Sequence, residues 1–309
     1  MKKNPLVSVC MITYGHEKYI SEAILGVAMQ QCSFEWELII ADDASPDATE
    51  KKVDLAIKTS KIKNIYYTKH SPNKGMMSNF IWALEQCKGK YIALCEGDDY
   101  WTDPLKLQQQ IDFLETHPAY VLSFHQGTNY FQKNNSTAPY ISDATLLSGV
   151  LSPKEVIRLG GNLCPTNSMV FRNKVLEYPD FFINAKSGDR ALCLLLLEKG
   201  KFHFINKNMS VYRVHDGGVS RNLSRQKTIE FKESNIELLG AFDAYSNYNY
   251  HSIIQKEISS QIRNIFIYDP SYLFKTSYLN RINTTHLMLS MSRILINKCS
   301  LPIFKTNSM

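Results

Sequence analysis

Short apolar runs alternate with helically spaced apolar residues along the first 130 or so positions of this 309-residue chain. Leu6–Thr13, Trp36–Ala41, Ile65–Tyr67, Tyr91–Cys95 and Val121–His125 have strand length and little internal alternation, the pattern of strands covered on both faces. Between them, Tyr19, Ile20, Ala23, Ile24 and Val27 recur at helical spacing, as do Leu105, Leu107, Ile111 and Leu114, and a further helix is predicted from about Met76 to Cys87. Strands alternating with helices predict βαβ units and a mostly parallel sheet. Asp47, in the loop ADDASPDAT, is placed to cap the helix that follows it. The polar stretch Asn129–Ser142 predicts either a mobile loop or an edge hairpin. Beyond residue 223 the pattern is helical throughout: Ile229, Ile236, Leu238, Leu239 and Phe242, then Ile253, Ile254, Ile258, Ile262 and Phe266, then Leu287, Met291, Ile294 and Leu295. The predicted organisation is an α/β unit over residues 1–222 and a helical, basic region over 223–309.

Composition narrows the class. With 44% hydrophobic residues the chain can bury a sizeable core. No run reaches the roughly 18 apolar residues of a membrane span, and Leu6–Ile12 lacks the cleavage pattern of a secretory signal. The seven cysteines form no CxxC pair and mostly sit in apolar stretches, which favours a reducing cytosol. Net charge is +6, and the segment from Arg221 onward holds eleven Lys/Arg against six acids, so nearly all the excess lies there. After Asp269 no acid follows, while Lys275, Arg281, Arg293, Lys298 and Lys305 are interleaved with apolar residues. That composition suits a segment lying on an anionic membrane surface, a solvated basic tail, or a helix pairing two chains. The predicted location is cytoplasmic, with peripheral contact at the inner face of the plasma membrane as the variant the basic tail suggests.

Candidate chemistry gathers where the predicted strands end. CEGDDYW, 95–101, puts Glu96, Asp98 and Asp99 within four residues at the end of a strand, and like charges so close call for a cation or a positively charged ligand edge. An acidic, solvated turn is the plain alternative. Thr13, Tyr14 and Gly15 follow the first strand, and Asp42 and Asp43 follow the second. Ligands of open α/β sheets bind beyond the carboxyl ends of strands, so three such ends describe a pocket for a polar ligand that brings a metal, as a nucleoside diphosphate does. Asp42 and Asp43 could equally build an Asx-type turn with Ser45 and Pro46, and Asp189, just ahead of the apolar run ALCLLLL, suits a helix N-cap.

The ordered motifs resemble those of the inverting family-2 nucleotide-sugar glycosyltransferases of bacterial surface-polysaccharide type, over roughly residues 5–220. VSVCMITYGHEKYI (7–20) is similar to the family's opening strand and nucleotide-binding turn. ELIIADDASPDAT (37–49) resembles the second-strand motif, with Ala44 where Gly is usual. NKGMMSN (73–79) resembles the Asn-x-Gly segment ending in Asn, and CEGDDYW stands in place of the DxD element, with Glu96 for its first Asp. The resemblance implies a GT-A fold, a Rossmann-like mixed sheet flanked by helices, with a helical C-terminal extension. It implies Asp43 at the nucleobase, Thr13, Tyr14, Asp42, Asn79, Glu96 and Asp99 around the donor, and Asp98 as ligand to Mn²⁺ or Mg²⁺. SGDRALCLLLLEKG (187–200) resembles the motif of the catalytic base, here Asp189, although Gly188 precedes it where Glu is more usual. PTNSMVFR (165–172) resembles the strand that floors the acceptor pocket, and YRVHDGGVS (212–220) the segment whose His215 completes the metal site.

The implied activity is transfer of a sugar, UDP-linked donors favoured, to a hydroxyl of a saccharide or lipid-linked acceptor in capsule, O-antigen or exopolysaccharide synthesis. A non-catalytic sugar-nucleotide or carbohydrate-binding protein would keep Asp43 and the acidic cluster without a base. A haloacid-type phosphohydrolase needs its nucleophile at the first strand's end, where Thr13 and Tyr14 stand. A processive synthase would need membrane spans and a Gln-x-x-Arg-Trp element, and no nucleic-acid reading motif accompanies the basic tail.

Overall fold

The computed structural model describes residues 4–60, 62–142, 151–173, 177–218, 224–269 and 272. The chain forms two compact units, Met1–Asn222 and Leu223–Met309. In the first, β1 (Val7–Thr13), α1 (Ile20–Ala28), β2 (Trp36–Asp42), α2 (Thr49–Thr59), β3 (Ile65–Lys69), α3 (Met76–Gln86) and β4 (Tyr91–Leu94) follow one another as βαβ units. Then come β5 (Tyr100–Trp101), α4 (Lys106–Thr116), a long β6 (Tyr120–Phe131), β7 (Ser136–Pro139), α5 (Pro153–Leu159), β8 (Val170–Arg172), α6 (Asp180–Ile183), α7 (Gly188–Leu197) and β9 (Lys201–Val214).

The strands make one sheet in the order β3-β2-β1-β4-β8-β6-β9-β5, with β7 paired to β6. Only its β3-β2-β1-β4 half is parallel throughout; β8 runs antiparallel to β4 and β6, and β5 antiparallel to β9. The sheet is therefore mixed, where the βαβ pattern alone predicts a mostly parallel one. Pairing of β8 and β9 with strands about 50 to 110 positions earlier leaves no local trace in the sequence. The hairpin is the outcome for Asn129–Ser142: β6 continues to Phe131 and β7 returns against it. Of 165–172, only Val170–Arg172 is strand, and Thr166–Ser168 is a single 3₁₀ turn.

The core explains why the apolar runs lack alternation. Val7, Val9 and Met11 of β1, Leu38 and Ile40 of β2, and Tyr91 and Ala93 of β4 pack with Ile20, Ala23, Ile24 and Val27 of α1 and Leu107, Ile111 and Leu114 of α4 in one cluster, while Cys10, Ile39 and Ile92 are buried on the opposite face. Trp101 and Lys106, both fully enclosed, close its edge beneath the acidic motif, with the Lys106 ammonium 4.1 Å from the centre of the Trp101 ring. In the second unit, α8 (Arg225–Tyr245) and α9 (His251–Tyr268) pack as a helical pair, with Phe242 stacked on Tyr250. The basic positions after Asp269 and the apolar repeat Leu287–Leu295 lie outside the described residues. Among the described residues no helix is long and apolar enough to cross a membrane.

Ala44 carries a local cost. Its φ is 64°, in the left-handed region, where a side chain is disfavoured by roughly 1–2 kcal/mol. Part of the relief a glycine brings is offset by its greater freedom in the unfolded chain. Ala44→Gly is expected to stabilise the protein by about 0.5–1 kcal/mol, read as an upward shift of the urea midpoint at unchanged slope.

Candidate active site

The first strand end is built by β1 and the turn after it. Thr13 is buried, and its hydroxyl pairs with His16 Nδ1 at 3.1 Å. Tyr14 points outward, 52% exposed. Asp42 does not face this crevice as an open carboxylate: Oδ1 accepts the Ser45 amide at 2.7 Å and Oδ2 accepts the Tyr67 hydroxyl at 2.8 Å. It is the Asx-type turn that the residues alone also allow. Asp43 accepts the backbone amides of Lys74 and Gly75 at 2.6 and 2.9 Å, and Asn73 donates to its carbonyl. The Asn-x-Gly segment is thus strapped to the end of β2, and Asn79 ties α3 to the same strand by donating to Ala41 O. Asp47 accepts from the Thr49 amide and hydroxyl and from the Glu17 amide; Ala48 occupies the N-cap of α2, so Asp47 braces that helix start from one residue further out.

The acidic motif leaves β4 on a turn that needs its glycine. A Cβ on Gly97 would lie 2.6 Å from Thr13 Oγ1, so only glycine lets the chain pass this close to β1 while Glu96 and Asp98 flank it. The three carboxylates have separate surroundings. Asp99 is buried and holds the frame: Oδ1 accepts the Arg213 amide and Oδ2 the Asn167 side-chain amide, at 2.8 and 3.0 Å. Burial, then the charges of Asp98 and Glu96, push its carboxyl well above the usual range. Glu96 is pushed up to about 8 by burial, by Asp98 and by Asp189, against the opposing Thr166 hydroxyl. Its Oε2 is enclosed without a hydrogen-bond partner.

Asp98 is the carboxylate that meets two imidazoles. Its Oδ2 lies 3.1 Å from His215 Nε2 and 3.6 Å from His16 Nε2. Burial opposes its ionisation, but the His215 hydrogen bond and the two nearby imidazoles hold it below the usual carboxylate range. His16 is lowered by burial, an effect that the Asp98 charge only partly reverses. Behind them Arg213 is clamped between the rings of Tyr19 and Tyr100, at 4.8 and 4.9 Å, and donates to the Asp98 carbonyl and to Glu22. Tyr19 packs against His215 and reaches Gln132 with its hydroxyl. A cleft of about 570 Å³ between Phe131–Asn134 and Val214–Asp216 borders His215.

Asp189 lies within the first turn of α7, not ahead of it, and Ser187 is the N-cap. Its Oδ1 accepts the Ser187 hydroxyl at 2.6 Å and the Arg190 amide at 2.7 Å. The tight 3₁₀ turn Gly160–Asn162 packs on the carboxylate, so that a Cβ at Gly161 would overlap Asp189 Oδ2. Asp189 lies near enough to Glu96 for its charge to help raise that carboxyl, although 93 positions separate them.

The structure thus brings Thr13, Glu96, Asp98, Asp99 and His215 together with Asp189 close by, and sets Asp42, Asp43 and Asn79 one layer out as braces. His16 and Arg213 complete the cluster unannounced by the sequence reading, although both lie inside motifs already singled out. No group of three or more His, Cys, Asp or Glu side chains among the described residues forms a ready-made metal cage. The donors around Asp98, one carboxylate and two imidazoles, with the orphaned Glu96 oxygen two residues earlier in the same turn, still suit a divalent ion that takes its remaining ligands from phosphate and water.

Residues 8–176 match the family model described as glycosyl transferase family 2. The chain is 32% identical over 223 residues, 70% of its length and 80% of the other's, to UDP-Glc:alpha-D-GlcNAc-diphosphoundecaprenol beta-1,3-glucosyltransferase WfaP of Escherichia coli. It is 35% identical over 217 residues to an uncharacterized protein of Mycobacterium tuberculosis, covering 69% of this chain but 60% of that protein's length. Among solved structures, S. aureus TarS in complex with UDP-GlcNAc aligns with a TM-score of 0.57 at 16% identity, over 85% of this chain and 81% of that one. The Pyrobaculum calidifontis mannosyltransferase PcManGT, in complex with GDP-Man and Mn²⁺, aligns with a TM-score of 0.54 at 13% identity, over 96% and 86%.

Proposed function

Because the chain belongs to glycosyl transferase family 2 and has the GT-A fold, we propose that it transfers a sugar from a nucleotide-diphospho-sugar, a UDP-sugar first, to a hydroxyl of a saccharide or lipid-linked acceptor, with inversion, in surface-polysaccharide synthesis. The observation that carries it is two carboxylates with different partners: Asp98 among imidazoles at the end of β4, and Asp189 held by Ser187 and Arg190 at the start of α7. The name of the Escherichia coli relative supports the UDP donor and the diphosphoundecaprenol-linked acceptor class.

The proposed chemistry uses these two ends separately. Asp189 takes the acceptor hydroxyl's proton as that oxygen bonds to the anomeric carbon, and the carbon–oxygen bond to the diphosphate breaks with its electron pair leaving on the nucleotide. Asp98, His215 and His16 would hold Mn²⁺ or Mg²⁺, whose charge stabilises that leaving group when bound. Asp43 and the strapped Asn73–Gly75 segment shape the nucleoside end, and Asp99 with Arg213 keeps the acidic turn in place.

Thermal unfolding with UDP-, GDP- and dTDP-sugars, each with and without Mn²⁺, tests this. The expected result is a rise in midpoint with a UDP-sugar and the metal together that exceeds the rise with either alone, with release of UDP once acceptor is added. Stabilisation by every nucleotide alike, or by none, overturns the donor assignment; binding without turnover on any acceptor marks a binding protein instead. Gly161→Ala is expected to lower kcat about 10- to 100-fold at nearly unchanged donor KM in steady-state assays, since the added methyl displaces the Asp189 carboxylate by a fraction of the distance over which proton transfer is efficient.

A further inference from the structure

The two imidazoles at Asp98 are not equivalent, and the difference lies in what each ring's other nitrogen touches. His215 Nδ1 accepts the Gly217 backbone amide at 3.2 Å. A backbone N–H can only donate, so Nδ1 carries the lone pair and the proton of the neutral ring is on Nε2, where it points at Asp98 Oδ2, 3.1 Å away. In this arrangement His215 is a hydrogen-bond donor to the carboxylate and has no free lone pair on the nitrogen that faces it. His16 is held differently. Its Nδ1 meets the Thr13 hydroxyl at 3.1 Å, a partner that accepts as readily as it donates. With Nδ1–H donating to Thr13 Oγ1, the Nε2 lone pair is left free on the side of Asp98 Oδ2, 3.6 Å away. An imidazole that donates its remote N–H to a fixed acceptor is the usual state of a metal-ligating histidine.

The spacing agrees. Two donor atoms bound side by side to one ion at roughly 2.1 Å each stand about 3 Å apart at a right angle and further apart at wider angles. Asp98 Oδ2 and His16 Nε2 are already near that separation. Thr13 is itself fixed, being buried and wedged against Gly97 between Glu96 and Asp98, so the ring that it orients belongs to the same rigid turn as the carboxylate.

We propose that Asp98 and His16 form the resident divalent-ion site of this chain before any nucleotide arrives, and that His215 becomes a ligand only after its Nδ1 releases the Gly217 amide. The inference rests on the metal-dependent reading above. It gives the motif TYGHEKYI a metal-binding role in addition to shaping the nucleotide turn, and it makes Thr13 the positioning residue for that role.

Mn²⁺ titrations followed by electron paramagnetic resonance, with pulsed detection of ¹⁴N couplings on the bound ion, test it in the full chain without nucleotide. The expected wild-type spectrum contains an imidazole nitrogen coupling, which changes to its ¹⁵N counterpart when the protein is made with [¹⁵N]histidine. His215→Gln should keep that coupling. His16→Gln should lose it and bind Mn²⁺ at least about tenfold more weakly, because even an outer-shell partner of a metal ligand is worth about 10- to 100-fold. A coupling retained in His16→Gln, or lost in His215→Gln, overturns the assignment. Mn²⁺ that binds only once UDP is present overturns it too, while leaving metal-dependent transfer intact. No Mn²⁺ binding with or without UDP sinks both. Should His16→Gln melt early in the metal-free state, the wild-type and His215→Gln spectra decide alone.

Discussion

Asp189→Asn is expected to reduce kcat by about 10³-fold while donor affinity, measured by titration of UDP in the presence of Mn²⁺, stays within about twofold of wild type. A positioned general base is worth about 10²–10⁴ in rate, and the amide cannot take a proton from the acceptor hydroxyl. It can, however, keep the geometry. The amide oxygen can still accept from the Ser187 hydroxyl and the Arg190 amide as Oδ1 now does, so α7 keeps its first turn. The amide nitrogen then takes the place of Oδ2, beside Gly161, where Asn is the same size as Asp. The loss should therefore fall on kcat and leave folding and donor KM near normal. Full activity in this variant would remove Asp189 from the reaction, and a variant that fails to bind UDP would show that the residue acts through structure.

What the sequence makes legible follows from how each element is buried. β1, β2 and β4 are buried on both faces, so each reads as a short, largely hydrophobic run, and α1 and α4 each show one buried stripe. β9 escapes because its 14 residues combine buried Phe202, Phe204 and Met209 with exposed positions between, and its register against β6 shifts at His125/Gln126 and Gln126/Thr128. A strand that slips register has no constant period to detect. β5 is only Tyr100 and Trp101, the tail of the acidic motif, and its pairing with β9 is entirely tertiary.

The site divides in the same way. Asp98, Glu96 and Asp99 are legible together because they are neighbours in the chain, and Asp189 and His215 because motif resemblance spans the distance. Their differing roles are not legible, since the distinction between Asp98 among imidazoles and Asp99 against the Arg213 amide arises only on folding. Asp42 and Asp43 look like ligand-facing acids in sequence, yet backbone amides and a tyrosine hydroxyl engage their oxygens. Nothing in YRVHDGG marks Arg213. In the fold it is desolvated between two tyrosine rings, where it fastens β9 to the acidic turn.

Lys106 is the sharpest such case, and Lys106→Met is expected to stabilise the protein by about 2–3 kcal/mol at pH 7. In sequence it is a polar position between Leu105 and Leu107; in the fold its ammonium is fully enclosed, with Gln110 Oε1 at 2.9 Å and the Trp101 ring as neighbours. Burial pulls it down to about 7, against a small opposing effect of Cys95 and Cys32. Because a lysine in the unfolded chain titrates near 10.4, the unfolded state binds the extra proton between these two values, and stability of the wild type climbs as pH rises from about 7 to about 10. Below pH 7 both states are protonated and the full penalty, about 4.6 kcal/mol at 1.36 kcal/mol per unit, is present; at pH 7 itself about 4 kcal/mol of it remains. Methionine has similar length and removes this penalty, but it strands Gln110 Oε1 at a cost of about 1–2 kcal/mol. The advantage of the variant should therefore shrink with rising pH and change sign near pH 9–10, where Lys106 is neutral in the folded protein and still bonds Gln110, and the remaining penalty has fallen to about that cost. Denaturant unfolding of both proteins at intervals from pH 6.5 to 10 measures the difference directly. A pH-independent difference would mean that Lys106 is solvated in the folded protein, and that the floor beneath the acidic turn is looser than the packing of Trp101 implies.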